Sequence, residues 1–234
     1  MIADMKRAFD LSKAAKLLVS DPAAKDFVKA VKVFDAVSSV RLDLQSVEVS
    51  ARALSDMRGH EGDSDVSSLG LALMTHAVVT YSRATHTKAV ERFNVGITAS
   101  YNKDDLRVHQ SIVDLRNSVI AHFGSGESGW HDERVVYFEN GNRAGLTTVH
   151  KRTNFEGNTI DQLLHLCSKA ISYAKQLERD RASVLSEVLS KVPREVEAVI
   201  DHCIFEPFNF YDGSESAIRS FWENHRAFQE SRNQ

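Results

Sequence analysis

The amino-acid sequence predicts a mainly α-helical protein with one small β-hairpin, and three observations predict it. Only three prolines and eleven glycines interrupt 234 residues, so long helices are permitted. Apolar residues recur every three or four positions through most of the chain, the spacing of one helical face. That period gives way to a strand-like pattern at one place, around residues 134–150.

Taken in order, residues 2–19 carry Met5, Phe9, Leu11, Ala15 and Leu18 at roughly helical spacing. Asp21-Pro22 then looks like an N-cap followed by proline at the first helical position. No proline or glycine follows between residues 23 and 57. Phe27, Val31, Phe34, Val37, Val40, Leu44, Val47, Ala51 and Leu54 advance by three or four, which predicts a single long helix that bends, if anywhere, near Ser38-Ser39. Gly59-His60-Glu61-Gly62-Asp63-Ser64-Asp65 is a polar connection. Residues 66–85 are apolar nearly all round their middle (Leu69, Leu71, Leu73, Met74, Ala77, Val78, Tyr81), which places that helix deep in the core. An irregular segment with a loop through 94–101 leads to another helix, residues 104–123. Its first turn is acidic, complementing the helix dipole, and the glycine-rich run 124–129 ends it.

Residues 134–139 then read as a strand, Asn140-Gly141 as a hairpin turn and residues 146–150 as the returning strand. A two-stranded hairpin is marginal alone, so it is expected to lie against the helices. Asn158 or Thr159 is expected to cap a helix running to about residue 192, where Pro193 stops it. A short helical piece over 194–203, an aromatic stretch over 205–211 and a last helix over 214–230 complete the chain. The aromatic stretch fits core or dimer packing, with base stacking as the alternative. The expected organisation is a helical domain over residues 1–192, with its first helix (1–20) peripheral, and a C-terminal extension over 193–234 packing on it.

Composition narrows the function classes. With 42% apolar and 26% charged residues the chain is an ordinary globular protein. No run is long and apolar enough to span a bilayer, and the N-terminus has no signal-peptide pattern, so no membrane association and a cytoplasmic location are expected. Cys167 and Cys203 provide neither a disulfide framework nor a metal cluster. The ten histidines form no zinc constellation with cysteine or carboxylate, so neither metal nor cofactor is expected. A Gly-x-Ser-x-Gly elbow is missing, which removes the usual serine hydrolase. A net charge of −3 argues against coating long nucleic acid through phosphate neutralisation, but leaves room for a small site handling one phosphate.

The chemistry-bearing segment is Leu115-Arg116-Asn117-Ser118-Val119-Ile120-Ala121-His122-Phe123. Leu106, Ile112, Val113, Val119 and Ile120 read as the apolar ridge of its helix, interrupted by His109, Arg116, Asn117 and His122. Arg116 and His122 are about 120° apart around the axis and about 9 Å apart along it, so their long side chains can converge on a groove between helices or subunits. His122 falls in the predicted last turn, where the helix dipole favours an imidazolium.

This segment resembles the HEPN superfamily, helical bundles in which an arginine, often followed by a polar residue, precedes a histidine with four to six residues between them. The match is closest to the abortive-infection-type branch, whose helix reads approximately His…Asp-Leu-Arg-Asn-Lys-x-x-Ala-His. Here His109 is followed by Asp114-Leu115-Arg116-Asn117-Ser118-Val119-Ile120-Ala121-His122, with Ser118 where a lysine is common. Upstream, Tyr81-Ser82-Arg83 resembles the Tyr-x-Arg of the second helix of such proteins. The resemblance covers residues 25–190 and includes the hairpin and the long helix after it. It implies a HEPN-like helical bundle with a small β-hairpin inserted after the motif helix, and a homodimer whose motif helices face a shared cleft.

It also implies metal-independent endoribonuclease activity, of a toxin or phage-defence kind. In such cleavage the ribose 2′-hydroxyl attacks the neighbouring phosphorus and leaves a 2′,3′-cyclic phosphate. His122 would move the proton, Arg116 would hold the phosphate bidentately, and Asn117 would orient the ribose or the histidine. Tyr81, Arg83, His109 and Ser118 are the candidate substrate-binding residues. RNA would be the substrate, with an antitoxin or neighbouring-gene product as a further partner. Two competing readings stay open: a helix-end network in which Arg116 pairs with Asp114 and His122 caps, and a non-catalytic HEPN-like module for dimerisation, RNA binding or partner binding.

Overall fold

The computed structural model describes residues 7–58, 64–85, 94–117, 131–140, 143–152 and 157–230. The protein is mainly helical, with one two-stranded antiparallel hairpin. The chain divides into two compact units, Met1–Lys32 with Val184–Gln234, and Val33–Ser183.

In the first unit, helix α1 spans Leu11–Leu17 and is capped by Asp10, whose Oδ1 accepts from Lys13 N at 2.8 Å. Of the helix expected over residues 2–19, residues 2–6 lie outside the described residues, 7–10 are not helical, and α1 starts after Asp10. The residues just before it pair with another segment instead: Phe9 bridges Ile204, Asp10 N donates to Cys203 O, and Phe205 N donates to Ala8 O. Asp21 caps a 3₁₀ turn at Pro22–Ala24, which runs into α2, Lys25–Asp56. Near the C-terminus lie α6 (Arg194–His202), α7 (Pro207–Phe210) and α8 (Glu215–Glu230). Phe205 stacks near Phe210 and Phe221 at ring separations of 5.1 and 5.3 Å, so the aromatic stretch packs against α8.

The second unit holds most of α2, then α3 (Ser64–Thr85), a 3₁₀ turn at Ile97–Ser100 and α4 (Lys103–Leu115). The hairpin β1 (His131–Asn140) and β2 (Arg143–Arg152) follows, then α5 (Gly157–Leu189). Val40, Leu44, Val47, Ala51 and Leu54 of α2 are all buried, as their spacing predicts. They form one core with Met74, Ala77, Val78 and Tyr81 of α3, Ile112 and Leu115 of α4, and Ile160, Leu163, Leu166, Ala170 and Ala174 of α5. Each large apolar side chain so buried contributes about 1.5–3 kcal/mol, before the cost of ordering the chain. Polar ties run to α5 from α2 and the turn just after it: Arg41 Nε meets Glu178 Oε2 at 2.8 Å, Ser38 Oγ donates to Glu178 Oε1, and Arg58 of the turn bonds Asp161 and the Gly157 carbonyl.

Three expectations need correction. Helix α5 begins at Gly157, so Asn158 and Thr159 lie within its first turn; Thr159 is buried there. It ends at Leu189, where the backbone tightens through Lys191 N to Val188 O, and Pro193 instead opens α6 as its N-cap. Among the described side chains of the hairpin, the expected cover by helices is not found. Val135, Tyr137 and Leu146 are 75%, 58% and 74% exposed, and of its described side chains only Val136 and Gly145 are partly covered. The backbone ladder, ten pairs from His131↔Arg152 to Asn140↔Arg143, holds its register instead.

Gly96 begins the turn before α4 with φ of 69°. An added Cβ would meet nothing within 4 Å, so only the left-handed backbone resists a side chain. Gly96→Ala is expected to cost about 1 kcal/mol, read as a lower denaturant midpoint at unchanged slope. No helix among the described residues is long and apolar enough to cross a membrane.

Candidate functional site

Helix α4 carries the start of the candidate motif, and both of its ends show how it is placed. At its N-terminus, the Asn102 side chain accepts from Asp104 N and Asp105 N, both at 2.9 Å. Asp105 Oδ2 accepts in return from Asn102 N at 2.9 Å, completing a capping box. Asp105 is only 4% exposed and reaches across to α5, where Oδ1 meets His165 Nε2 at 2.9 Å and Oδ2 meets Lys169 Nζ at 2.6 Å. The Lys169 ammonium, the Asn102 backbone N–H and His165 outweigh the penalty of burial. They hold the Asp105 carboxyl down, from 3.8 to about 2.

A carboxyl whose pKa is lower in the folded chain stabilises the fold fully above its unfolded value and ceases to do so as pH falls through the folded one. Asp105 therefore makes the second unit lose stability between about pH 3.8 and pH 2. Asp105→Asn is expected to lower Tm at neutral pH and to flatten the fall in Tm across that acid window. Thermal melts of both proteins between pH 6 and pH 2 check this; parallel curves would remove Asp105 as a contributor.

Midway along α4, His109 faces inward. Its Nδ1 lies 3.0 Å from Tyr81 Oη, which itself donates to Tyr101 Oη at 3.1 Å. With the single Tyr81 proton committed to Tyr101, Nδ1 of His109 is the donor to Tyr81. The rings pack as well, His109 lying 5.7 Å from Tyr81 and 5.9 Å from Tyr101. Burial pushes both phenols far above their ordinary range, so they remain neutral. Cys167 is also in this core; burial, then the nearby Glu48, push its thiol up to about 12, which leaves it unreactive.

At the C-terminal end, residues 116–117 continue α4 in a wider π-type turn. Arg116 is half-buried and Asn117 exposed, and Arg116 Nη1 donates to Asn117 Oδ1 at 2.9 Å. Ser118 and His122 lie outside the described residues, as does the rest of the expected helix to residue 123. Asp114 accepts from Gln110 Nε2 at 2.8 Å.

The structure thus brings together Tyr81 with His109, and Arg116 with Asn117. It sets Arg83 apart from Tyr81: the two are about 200° apart around α3, and Arg83 makes a forked pair with Asp43 of α2, at 2.7 and 3.2 Å. Tyr81 is fully buried and His109 is 7% exposed. Four polar residues around α4 were not singled out from sequence: Tyr101, Asp105, His165 and Lys169. Two signals point to them, the Asn-x-x-Asp capping pattern at 102–105 and the four-residue spacing of His165 and Lys169 on one face of α5. Among the described residues, no group of three or more His, Cys, Asp or Glu is placed to hold a metal ion.

Comparison with known protein families, with curated proteins and with solved structures gave no match to this chain.

Proposed function

We propose that the chain is a metal-independent endoribonuclease of the HEPN type, a toxin or phage-defence component working as a homodimer through the motif helix. The observation that carries the reading is Arg116 hydrogen-bonded to Asn117 at the end of α4, in the Asp-Leu-Arg-Asn-x₄-His sequence that continues to His122. A guanidinium there can clamp a phosphodiester with two parallel hydrogen bonds and stabilise the charge that builds on its oxygens. His122 takes the 2′-hydroxyl proton as the 2′-oxygen bonds to phosphorus; the bond to the 5′-oxygen breaks, and that oxygen takes up a proton from water as it leaves. Asn117 orients Arg116 or the ribose. No cofactor enters the reaction. Tyr81 and His109 serve by fixing the rotation of α4, and Asp105 by tying its first turn to α5.

A second reading, a non-catalytic HEPN-like module for dimerisation, RNA binding or partner binding, is favoured by the net charge of −3, which gives little general attraction for RNA. One experiment separates the two. The purified protein is incubated with varied RNAs in EDTA, alone and with the products of its neighbouring genes, and the ends are examined. Products ending in 2′,3′-cyclic phosphate support the nuclease; intact RNA under every condition leaves the module.

A further inference from the structure

His165 is held differently from the other histidines whose side chains are described. Its partner Asp105 is a buried carboxylate, so both of the Asp105 oxygens can only accept. Oδ2 takes the Asn102 N–H at 2.9 Å and the Lys169 ammonium at 2.6 Å, and Oδ1 takes Nε2 of His165 at 2.9 Å. Nε2 therefore carries the proton, and the lone pair of the neutral ring is on Nδ1. Among the described residues no group bonds Nδ1, and the His165 side chain is 56% exposed. His202 has the opposite arrangement: its Nδ1 donates to the Ala198 carbonyl at 2.6 Å, which leaves the lone pair on Nε2 and gives the ring an uncharged partner. His76 lies between the hydroxyls of Ser46 and Ser50, and His109 is buried.

An imidazole lone pair open to solvent is a nucleophile, and here the far side of the ring is braced for what its attack produces. An electrophile that bonds to Nδ1 leaves both ring nitrogens substituted and the ring positive. Asp105 stabilises that charge through a charge-assisted hydrogen bond, as a carboxylate does for any imidazolium it orients. The surroundings suit an anionic electrophile. His165 stands beside the first turn of α4, the positive end of a 13-residue helix, and Lys169 offsets the charge of Asp105.

We propose that His165 is a phosphoryl-acceptor site, modified at Nδ1 by a donor with a good leaving group, an acyl phosphate or a phosphoramidate. The Nδ1 lone pair forms the new bond to phosphorus as the bond from phosphorus to the leaving atom breaks, and that atom departs with the electron pair. Nothing is oxidised or reduced, and the ring keeps its Nε2 proton on Asp105. Lys169 follows His165 by one helical turn on the same face of α5, so the added phosphoryl group competes with Asp105 for its ammonium. Modification thereby weakens the tie between α5 and the first turn of α4. The site is independent of the ribonuclease reading, because its readout is a covalent label and not cleavage.

The test is incubation of the full-length protein with phosphoramidate, followed by peptide mapping for the residue and phosphorus NMR for the nitrogen that bears the label. His165 should be labelled about tenfold faster than His202, and as the Nδ1 isomer. Nε2 is the less hindered nitrogen of a free histidine, so a His165 not held by Asp105 would be labelled there. Asp105→Asn can still accept from Nε2 but has no charge, and should slow labelling about tenfold with the isomer unchanged. Asp105→Ala frees Nε2 and should move the label to it. The isomer formed in the unaltered protein needs no variant, so the test stays decisive if either substitution unfolds the chain. No label on His165, an Nε2 label on it in the unaltered protein, or a rate no greater than that of His202 overturns the proposal. So does a folded Asp105→Asn variant labelled at the unaltered rate.

Discussion

On the proposed ribonuclease mechanism, replacing Arg116 or His122 with alanine should abolish RNA cleavage while leaving the protein folded. Losing the guanidinium removes the fork that neutralises the phosphorane-like charge, and deletions of one such group cost about 10²–10³ in rate. Losing the imidazole removes the proton carrier, worth about 10²–10⁴. The two should not add: once either is gone the other has little left to act with, so the double variant is expected to match the worse single one. Arg116→Lys is a sharper probe than alanine. Lysine keeps the charge but not the planar fork, so it should recover only a small part of the rate. Asn117→Ala should fall between, because it takes one hydrogen bond from Arg116 and leaves the guanidinium in place. Arg116 is half-buried at the end of α4, outside the hydrophobic core, so its substitution should move stability by about 0.5 kcal/mol at most. Cleavage rates measured beside thermal melts give the answer. Cleavage that persists in Arg116→Ala would place the activity elsewhere, and a collapse of Tm in step with activity would make Arg116 structural.

The motif offered itself as a candidate because it is contiguous: a nine-residue string carries its own spacing, of which the described residues include only the first three, Leu115 to Asn117. The long elements were legible for a similar reason. In α2 each of Val40, Leu44, Val47, Ala51 and Leu54 is buried, and apolarity alone reported it. In α4 the same rule failed in both directions. Leu106 looked like part of the apolar ridge and is 43% exposed, whereas His109, which looked like an interruption, and Asp105, which looked like a first-turn acid complementing the dipole, are buried. Periodicity counts the polarity of a residue, not whether its partners are satisfied. Asp105 is tolerated inside because His165 and Lys169 arrive from 60 and 64 residues further on, and His109 because Tyr81 arrives from 28 residues before it. Such pairings are invisible to a local window. The hairpin shows a different shortfall. Its strands were readable from their residue types, with Asn140 closing β1 and the turn itself outside the described residues; yet where it packs is a tertiary fact, and among the described side chains the expected cover of helices is not found.

Tyr81 is where fold and site can be pulled apart by experiment. Tyr81→Ala should be the more damaging substitution, since it opens a ring-sized cavity in the middle of the core of the second unit. Truncating a fully buried aromatic costs about 3–5 kcal/mol, and for a chain of this size that lowers Tm by roughly 10 °C or more. Tyr81→Phe keeps the ring and removes only the hydroxyl that Tyr101 and His109 share, so it should cost about 1–3 kcal/mol. The gap between the two variants measures packing, and the Phe variant alone measures the buried hydrogen bonds. The same pair tests what Tyr81 does for the site. If its role is to hold α4 at the right rotation, Tyr81→Phe should retain cleavage within several-fold, when assayed well below its own Tm. The substrate dependence of that residual activity should match that of the unaltered protein. A loss as large as that of Arg116→Ala, from a variant still folded at the assay temperature, would instead put the Tyr81 hydroxyl in contact with RNA. Its complete burial would then have to give way on substrate binding, which hydrogen exchange across α3 and α4 would detect as opening of the helix pair.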